Sequence, residues 1–372
     1  MAARFRLFTK RFLIFCNAGI ALLFLLACLA PYLNPQRWWF ISFLGIGFPF
    51  LLIMMIAFMI WWLFVKRKFA LISAIPLLIG FKSISVFFSF HFPEKFNYEK
   101  QQGSIRIASW NVARFIEMKR NNNKGSQARL KMMELIAEQN ADIFCMQEFF
   151  HSNDSAWYPN LAYIKNHFNY PYHYYSHDND GDNHFIGSII FSRYPIIDSG
   201  MVRYPRPSLP EALMHADIKV NDDTIRVYTT HLQSLKFQKA DYEKIGRIKD
   251  AEGEVMSDSR TIFSKLKRGI TLRKMQTDVV AQVLQDSPYP FLFCGDLNDV
   301  PNSYTYFRIR GDLQDAFLKK GFGVGRTFSA ISPTLRIDYI FADDHFKVEQ
   351  FNRIVKNYSD HYLILSDVHL KK

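Results

Sequence analysis

Cysteine is scarce in this 372-residue chain: Cys16, Cys28, Cys145 and Cys294 are the whole supply. Two lie in long apolar runs and two in strand-like runs, with no metal-ligand spacing between them. That excludes a disulfide framework and points to buried free thiols. Acid is nearly absent from the first hundred residues, where Glu94 and Glu99 face eleven lysines and arginines. Nine of the twelve net positive charges therefore fall in that stretch, and the remainder holds 35 basic against 32 acidic side chains. The basic character belongs to the N-terminal region. The rest lacks the excess of lysine and arginine that proteins use to gather nucleic-acid phosphates. Internal repeats and low-complexity tracts are missing as well. Asp178, Asp180 and Asp182, between His177 and His184, invite a calcium-loop reading, but Asn183 stands where the tight-turn glycine is needed and no glutamate closes the loop. A solvated turn is the better account.

What the N-terminal region has is apolar length. Phe12 to Ala30 is almost unbroken; Phe40 to Val65 is longer, interrupted by Ser42, Gly45, Gly47 and Pro49; Phe69 to Phe90 is a third run, weakened by Pro76, Lys82 and serines. About 20 such residues cross a bilayer as a helix. The expectation is a membrane anchor over residues 1–95, with spans near 12–30, 40–65 and 69–90, then a linker at 96–103. A cleavable signal would explain the first run but not the second, and Ala27-Cys28-Leu29-Ala30-Pro31 is a poor cleavage context. Arg4, Arg6, Lys10 and Arg11 before the first run, and Lys66-Arg67-Lys68 after the second, mark the cytoplasmic side. Three spans then place everything that follows on the outer side, periplasmic or extracellular, in an integral membrane protein. The lipid bilayer is the partner these helices imply; no protein partner is expected. No paired intramembrane charges suggest transport.

From Ser104 the pattern becomes one of strands and helices. Strand signals cover 105–112, 142–146, 186–191, 212–220, 224–230, 290–294, 336–341 and 362–370, with Asn221-Asp222-Asp223 as a hairpin turn. Helical spacing covers 127–139, with Leu130, Met133, Ile136 and Ala137 on one face, and 273–284. The stretch 234–268 is polar and mixed in charge, and reads as a surface excursion more than as a substrate clamp.

Polar motifs stand at the ends of these apolar runs: Ser109-Trp110-Asn111-Val112, Met146-Gln147-Glu148, Thr230-His231-Leu232, Gly295-Asp296-Leu297-Asn298, Arg336-Ile337-Asp338-Tyr339 and Ser359-Asp360-His361. A sheet rim holds such side chains rigidly. Hydrolysing a phosphodiester at neutral pH needs a hard cation on the phosphate oxygens, an activated water, and stabilisation of the charge on the departing oxygen. Magnesium binds few carboxylates and keeps several waters, a role that suits Glu148 with Asn111 beside it. Asp296 with Asn298 can hold and deprotonate the water. His231 and His361 can donate hydrogen bonds to the pentacovalent oxygens, and Asp338 can fix the tautomer of His361. Each motif alone is commonplace, since a histidine after a strand is more often a core or surface residue. Their joint order is the signal.

In that order, and with Ser192-Arg193-Tyr194-Pro195-Ile196 between them, residues from about 103 to 372 resemble the endonuclease/exonuclease/phosphatase superfamily. Arg273 and Gln276 also resemble the family's helix before its Gly-Asp-x-Asn strand. The resemblance implies an α/β fold, a four-layer α/β/β/α sandwich of two mixed β-sheets over 104–372. It implies Glu148 as principal metal ligand with Asn111 and Asp360 close to the metal, which is Mg2+ or, in its place, Mn2+. It makes Asp296 the water-orienting base, Asn298 a phosphate contact, and Asp338–His361 a hydrogen-bonded pair at the phosphate. His231 falls where the deoxyribonuclease and sphingomyelinase branches carry histidine and abasic-site enzymes carry tyrosine. Ala113 stands where abasic-site enzymes place an acid. Both departures argue against abasic-site repair. The expected function is a membrane-anchored, magnesium-dependent phosphodiesterase, foremost a nuclease-type hydrolase. The alternative is a lipid or inositol-phosphate phosphodiesterase of the sphingomyelinase kind. A non-catalytic binding domain is disfavoured, because Glu148, Asp296, Asn298, Asp338, Asp360 and His361 are all intact.

Overall fold

The structure is a computed structural model that describes all residues except 1, 93, 121–126, 182, 208–210, 236–239, 242, 246–254 and 372. The N-terminal part is helical: α1 (Ala2–Leu29), α2 (Trp39–Ile46), α3 (Phe48–Val65), α4 (Leu71–Ile79) and α5 (Phe81–Phe87). Two stretches, Arg4–Leu29 and Phe48–Val65, are long and apolar enough to cross a membrane. The second apolar run is therefore not one helix over 40–65. It breaks at Gly47, and Pro49 in the first turn of α3 has no N–H with which to extend the preceding helix. The third run is also divided, with α4 and α5 bent by 66°. Gly80 marks the bend: a Cβ there would lie 2.6 Å from the Phe24 ring and 2.9 Å from Cys28 Sγ, so α1 packs directly against the break. Inside the bundle, buried Ser73 donates to buried Asn17 at 2.9 Å. Outward, the helices expose Phe8, Phe15, Leu22, Phe64 and Leu78, and apolar surface on this scale marks an interaction with lipid or protein. Lys10 and Lys68 both lie over the Phe69 ring, at 5.1 and 5.4 Å. The two basic clusters thus share one end of the bundle.

The remainder is built from strands β1 (Ser89–Phe90), β2 (Ser104–Asn111), β3 (Ile143–Ser152), β4 (Tyr172–Tyr175), β5 (Asp178–Asn179), β6 (His184–Ser192), β7 (Ile196–Arg203) and β8 (Ala212–Val220). They are followed by β9 (Asp223–His231), β10 (Phe291–Asp296), β11 (Gln314–Asp315), β12 (Phe322–Gly323), β13 (Asp338–Ala342), β14 (Phe346–Ile354) and β15 (Leu363–Leu370). Between them run α6 (Ala128–Gln139), α7 (Asn160–His167), α8 (Val255–Gln285), α9 (Tyr304–Arg310) and α10 (Ala316–Lys320). One sheet has the order β14-β15-β2-β3-β6-β4 with β5 beside β6, and the other β11-β13-β10-β9-β8-β7. Both are mixed, with parallel pairs at β2–β3 and β9–β10.

Alternation along the strands sorts the core into layers. Ile105, Ile107, Ile143, Cys145 and Ile190 from one sheet meet Ile218, Val227, Leu292, Cys294 and Ile340 from the other. Ala108, Trp110, Phe144 and Met146 turn outward beneath α6 and α7, and Tyr228, Phe293, Tyr339 and Phe341 turn outward beneath α8 and α9. Burying each such side chain stabilises the fold by about 1.5–3 kcal/mol before entropy is counted. The result is the four-layer sandwich that the motif order implies. The face of α6 differs from the expected one: Met132, Met133, Leu135 and Ile136 are buried, whereas Leu130 and Ala137 are exposed. Adjacent methionines allow either phase, and Leu135 decides between them.

Three further features add to the sequence reading. The stretch 96–103, expected as a linker, packs on the sandwich: Phe96 is buried in the core, and the Arg106 guanidinium donates to Tyr98 O and Asn97 O at 3.1 and 3.0 Å. The second half of the 234–268 stretch is the first half of α8, a continuous helix of 31 residues. Phe263, Leu266 and Ile270 recur there at helical spacing. Finally, the helices are fastened to the sandwich. Asn302 Nδ2 donates to Ala27 O at 2.9 Å, Arg336 Nη2 donates to Val86 O at 2.8 Å, and β1 pairs with β12. Lys82, the charge in the third apolar run, lies 5.6 Å from the Tyr32 ring and 5.5 Å from that of Phe307 at this junction.

Candidate active site

The same alternation that fills the inter-sheet core delivers polar groups to its rim. On β2 the inward series Ile105, Ile107, Ser109 continues to Asn111; on β9, Ile225, Val227 and Thr229 lead to His231; on β10, Leu292 and Cys294 lead to Asp296. On β13 the series Ala342, Ile340 runs back to Asp338. Register then brings them together, because Asp296 is paired with His231 on one side and with Asp338 on the other. Gly295 permits the close approach of β9: a Cβ there would lie 2.5 Å from Thr230 O.

Glu148 reaches the rim by a bulge. Strict alternation would send it outward after Phe144 and Met146. Between Met146 and Phe149 the β3–β6 register slips, so that Gln147 and Glu148 together oppose Ser188, and Glu148 takes φ +49°. The bulge re-aims the half-buried carboxylate into the cleft. Opposite Phe149 on β6, Gly187 lets the Ser176 side chain pack close, since at its φ of +152° a Cβ would lie 1.9 Å from Ser176 Oγ. Beyond Asn111, Ala113, Arg114, Phe115 and Ile116 all have positive φ, a left-handed turn without glycine. Strain of this kind concentrates at functional sites. Ala113 N donates to Asn111 Oδ1 at 3.0 Å, which leaves the Asn111 amide nitrogen to face Glu148 Oε1 at 3.4 Å and Asp296 Oδ2 at 3.1 Å.

The charged groups are tightly interlocked. His361 Nδ1 lies 3.1 and 3.0 Å from the two Asp338 oxygens, and its Nε2 lies 3.7 Å from Asp296. Burial disfavours the imidazolium, but Asp338 and Asp296 outweigh it and raise His361 to about 10. His231 follows the same logic: against burial, Glu211 at 3.1 Å, Asp296 at 3.6 Å and Glu148 at 3.8 Å raise it to about 10. The surrounding carboxylates thus favour the imidazolium form of both rings. Asp296 is raised to about 6 by burial and by Asp338, with His361 and His231 pulling the other way. The Asn298 backbone N–H donates to Asp296 at 2.8 Å. His231 Nε2 is buried without a hydrogen-bond partner, so a cationic donor points at the space beside Glu148 and Asp296.

Asn111, Glu148, His231, Asp296, Asn298, Asp360 and His361 all line one cleft of about 1040 Å³, and Asp338 stands behind His361. Asn298, with φ +51°, turns its amide nitrogen to Leu232 O at 2.9 Å. Asp360 is exposed at the rim, on a loop tied to β2 by Ser359 Oγ donating to Asn111 O at 2.8 Å and Trp110 Nε1 donating to His361 O at 2.9 Å. Arg273 and Gln276 brace the segment after His231: Arg273 Nη1 donates to Gln233 O at 3.0 Å, and Gln233 N donates to Gln276 Oε1 at 2.7 Å.

Glu211, the partner of His231, is absent from the sequence reading. Its signal was the hairpin: counting back from Val220↔Asp223 places position 212 opposite His231, with Glu211 next to it. Asp178 and Asp180 also line the cleft, paired with Arg203 at 2.6 Å and Arg114 at 3.2 Å; the chain turns here as expected, with Asp180 N donating to His184 O at 2.9 Å and Asp180 exposed, and Asp182 lies outside the described residues. The 234–268 stretch lines it too, through Leu235, Ile262, Phe263 and Leu266, which contradicts the reading of a surface excursion.

The donor set fits a hard cation. Glu148 and Asp360 offer carboxylate oxygens to the cleft, as magnesium or manganese requires, with the Asn111 amide beside Glu148. Asp296, Asp338 and His361 also have ligand atoms within 4.8 Å of one another, but they are buried and already bonded among themselves.

Residues 108–361 match the endonuclease/exonuclease/phosphatase family, and residues 10–87 match a domain of unknown function (DUF8431). The first match covers more than half of the chain, which belongs to the endonuclease/exonuclease/phosphatase family. Comparison with curated proteins returns no match. Among solved structures, an endonuclease/exonuclease/phosphatase from Beutenbergia cavernae is similar at 20% identity and a TM-score of 0.52, covering 73% of this chain and 72% of that one. The catalytic domain of human Nocturnin, solved with a bound sulfate anion, is similar at 16% identity and a TM-score of 0.50, covering 73% and 95%. These likenesses carry the fold.

Proposed function

We propose that this hydrolase is a divalent-metal-dependent phosphodiesterase anchored in a membrane by its N-terminal helices. The observation that carries the reading is the setting of Asp296: a buried carboxylate with the His231 and His361 rings at 3.6 and 3.7 Å in one cleft, which the carboxylates of Glu148 and Asp360 also line. Glu148, with Asn111 and Asp360, would hold Mg2+ or Mn2+. A cation there would neutralise phosphate oxygens and favour ionisation of water. Asp296 holds a water and takes its proton as the water oxygen attacks phosphorus and the bond to the leaving alcohol breaks. His231, through its unpartnered Nε2, donates to a phosphate oxygen. His361, fixed by Asp338, does the same from the other side. Asn298 keeps Asp296 oriented through its backbone N–H.

The near balance of charge over the sandwich gives nucleic acid no electrostatic advantage. The helix surface and the positive-inside rule support anchoring, with the clusters at Lys10 and Lys68 in the cytoplasm. The sandwich joins the bundle near Ala27 and Val86, away from those clusters, and so faces the outer side. Purified full-length protein is expected to hydrolyse bis(p-nitrophenyl) phosphate with Mg2+ or Mn2+ and to stop in excess EDTA. Turnover unaffected by chelation, or absent with every divalent cation tried, contradicts the reading. Protease treatment of spheroplasts is expected to release a fragment beginning shortly after the last helix, whereas protection of that fragment contradicts the outward topology.

A further inference from the structure

The cleft has two chemically different ends. One holds Glu148, His231, Asp296 and His361; the other is walled by Ile46, Leu235, Ile262, Phe263 and Leu266. That apolar wall joins two parts of the chain. Ile46 closes α2, which lies outside the segment shared with the endonuclease/exonuclease/phosphatase family and belongs to the helical bundle. The other four residues come from α8 and the segment after His231.

The seam between α2 and α8 is closely built. The Phe43 ring meets the Phe263 ring edge-on at 5.1 Å, and Lys267 Nζ lies 4.7 Å from the Trp39 ring. Gly45 lets α2 press on the sandwich, where a Cβ would lie 2.6 Å from Asn302 O. Gly269 lets Leu235 seat on α8, where a Cβ would lie 2.7 Å from Leu235 Cδ2. Even so, Phe263 stays half exposed, and Trp38 and Phe40 at the start of α2 are exposed as well. α2 lies between the two stretches long and apolar enough to span, Arg4–Leu29 and Phe48–Val65. In a membrane-anchored protein its aromatic side chains would sit at headgroup depth, with the apolar wall of the cleft beside them.

Resting on the phosphodiesterase reading, we propose that the substrate is a membrane lipid phosphodiester. Its phosphate sits between Glu148 and the two histidines, and its hydrocarbon lies along the Ile46–Phe263–Leu266 wall. A nucleic acid has no use for such a wall: its neighbouring phosphates would be pressed against Ile262, Phe263 and Leu266, while the described cations lining the cleft, Arg114 and Arg273, are already paired with Asp180 and Asp299. A lipid leaves the bilayer only as far as the wall extends, and keeps its chain in apolar surroundings throughout.

The test uses full-length protein reconstituted with Mg2+ in dioleoylphosphatidylcholine vesicles, and a series of p-nitrophenyl alkyl phosphodiesters from methyl to hexadecyl. kcat/KM is expected to rise about a hundredfold or more from methyl to octyl, as methylenes are buried on the wall. Phe263→Ser and Leu266→Ser are each expected to lower the octyl-to-methyl ratio about tenfold. Phe263 is half exposed, so its replacement leaves the core intact; the ratio corrects for any general loss. A flat chain-length profile, or a ratio unmoved by Phe263→Ser, overturns the lipid proposal. If the methyl ester is still hydrolysed in a Glu148-dependent way, the phosphodiesterase reading survives that result. Single-stranded DNA or RNA cleaved faster than the hexadecyl ester also overturns the proposal. Absence of turnover with every ester removes both.

Discussion

Glu148→Gln is expected to lower metal-dependent turnover by about two orders of magnitude or more, with little change in melting temperature. Glutamine is isosteric and keeps an oxygen that can accept from the Asn111 amide, now 3.4 Å from the carboxylate. What it lacks is the negative charge that a hard cation needs and that helps keep His231 protonated from 3.8 Å away. Because Glu148 sits half exposed at the bulge, no core contact is lost. Steady-state assays at limiting and saturating Mg2+, with a thermal melt alongside, separate the two effects. Near-normal turnover at limiting Mg2+ would remove Glu148 from the role assigned to it. A large drop in melting temperature would mean that the bulge, rather than the charge, had been damaged.

The second large effect is expected at His361. Its removal in His361→Ala takes away a cationic donor and leaves Asp338 buried without its partner at 3.0 Å. Loss of a preorganised donor that acts on developing charge costs about 10²–10³ in kcat. The loss should fall on kcat and not on KM, because the charge it meets grows in the transition state. Asp338→Asn is expected to lower kcat in the same way by a smaller factor: the ring stays in place, but the group that does most to keep it protonated is gone. A pure rise in KM for His361→Ala would contradict a transition-state role and leave only substrate binding.

Much of this site was legible because β-strands alternate. Asn111, His231, Asp296 and Asp338 each continue an inward apolar series, so a reader of the pattern can place all four on the inter-sheet rim without coordinates. Glu148 was found through its motif and not through alternation, which points it outward; the bulge is a slip of register between β3 and β6, which neither strand shows by itself. Glu211 was missed because its importance comes from register across a hairpin, which neither residue shows locally. The helical regions failed for a different reason. Hydropathy reports length, not continuity, and the breaks at Gly47 and Gly80 are set by what packs on them: the sandwich near Asn302 in one case and Phe24 in the other. The long α8 was hidden by its charged face, although Phe263, Leu266 and Ile270 kept helical spacing.

The central claim is that side chains from six separate segments converge on one divalent cation and one phosphate. Crystals of the full-length protein soaked in MnCl2, with anomalous diffraction collected at the manganese edge, test it most directly. The account predicts one dominant anomalous peak within bonding distance of the Glu148 carboxylate, on the side facing Asn111 and Asp360. A dominant peak at the Asp343–Asp344–His345 group instead, with nothing at Glu148, would contradict it.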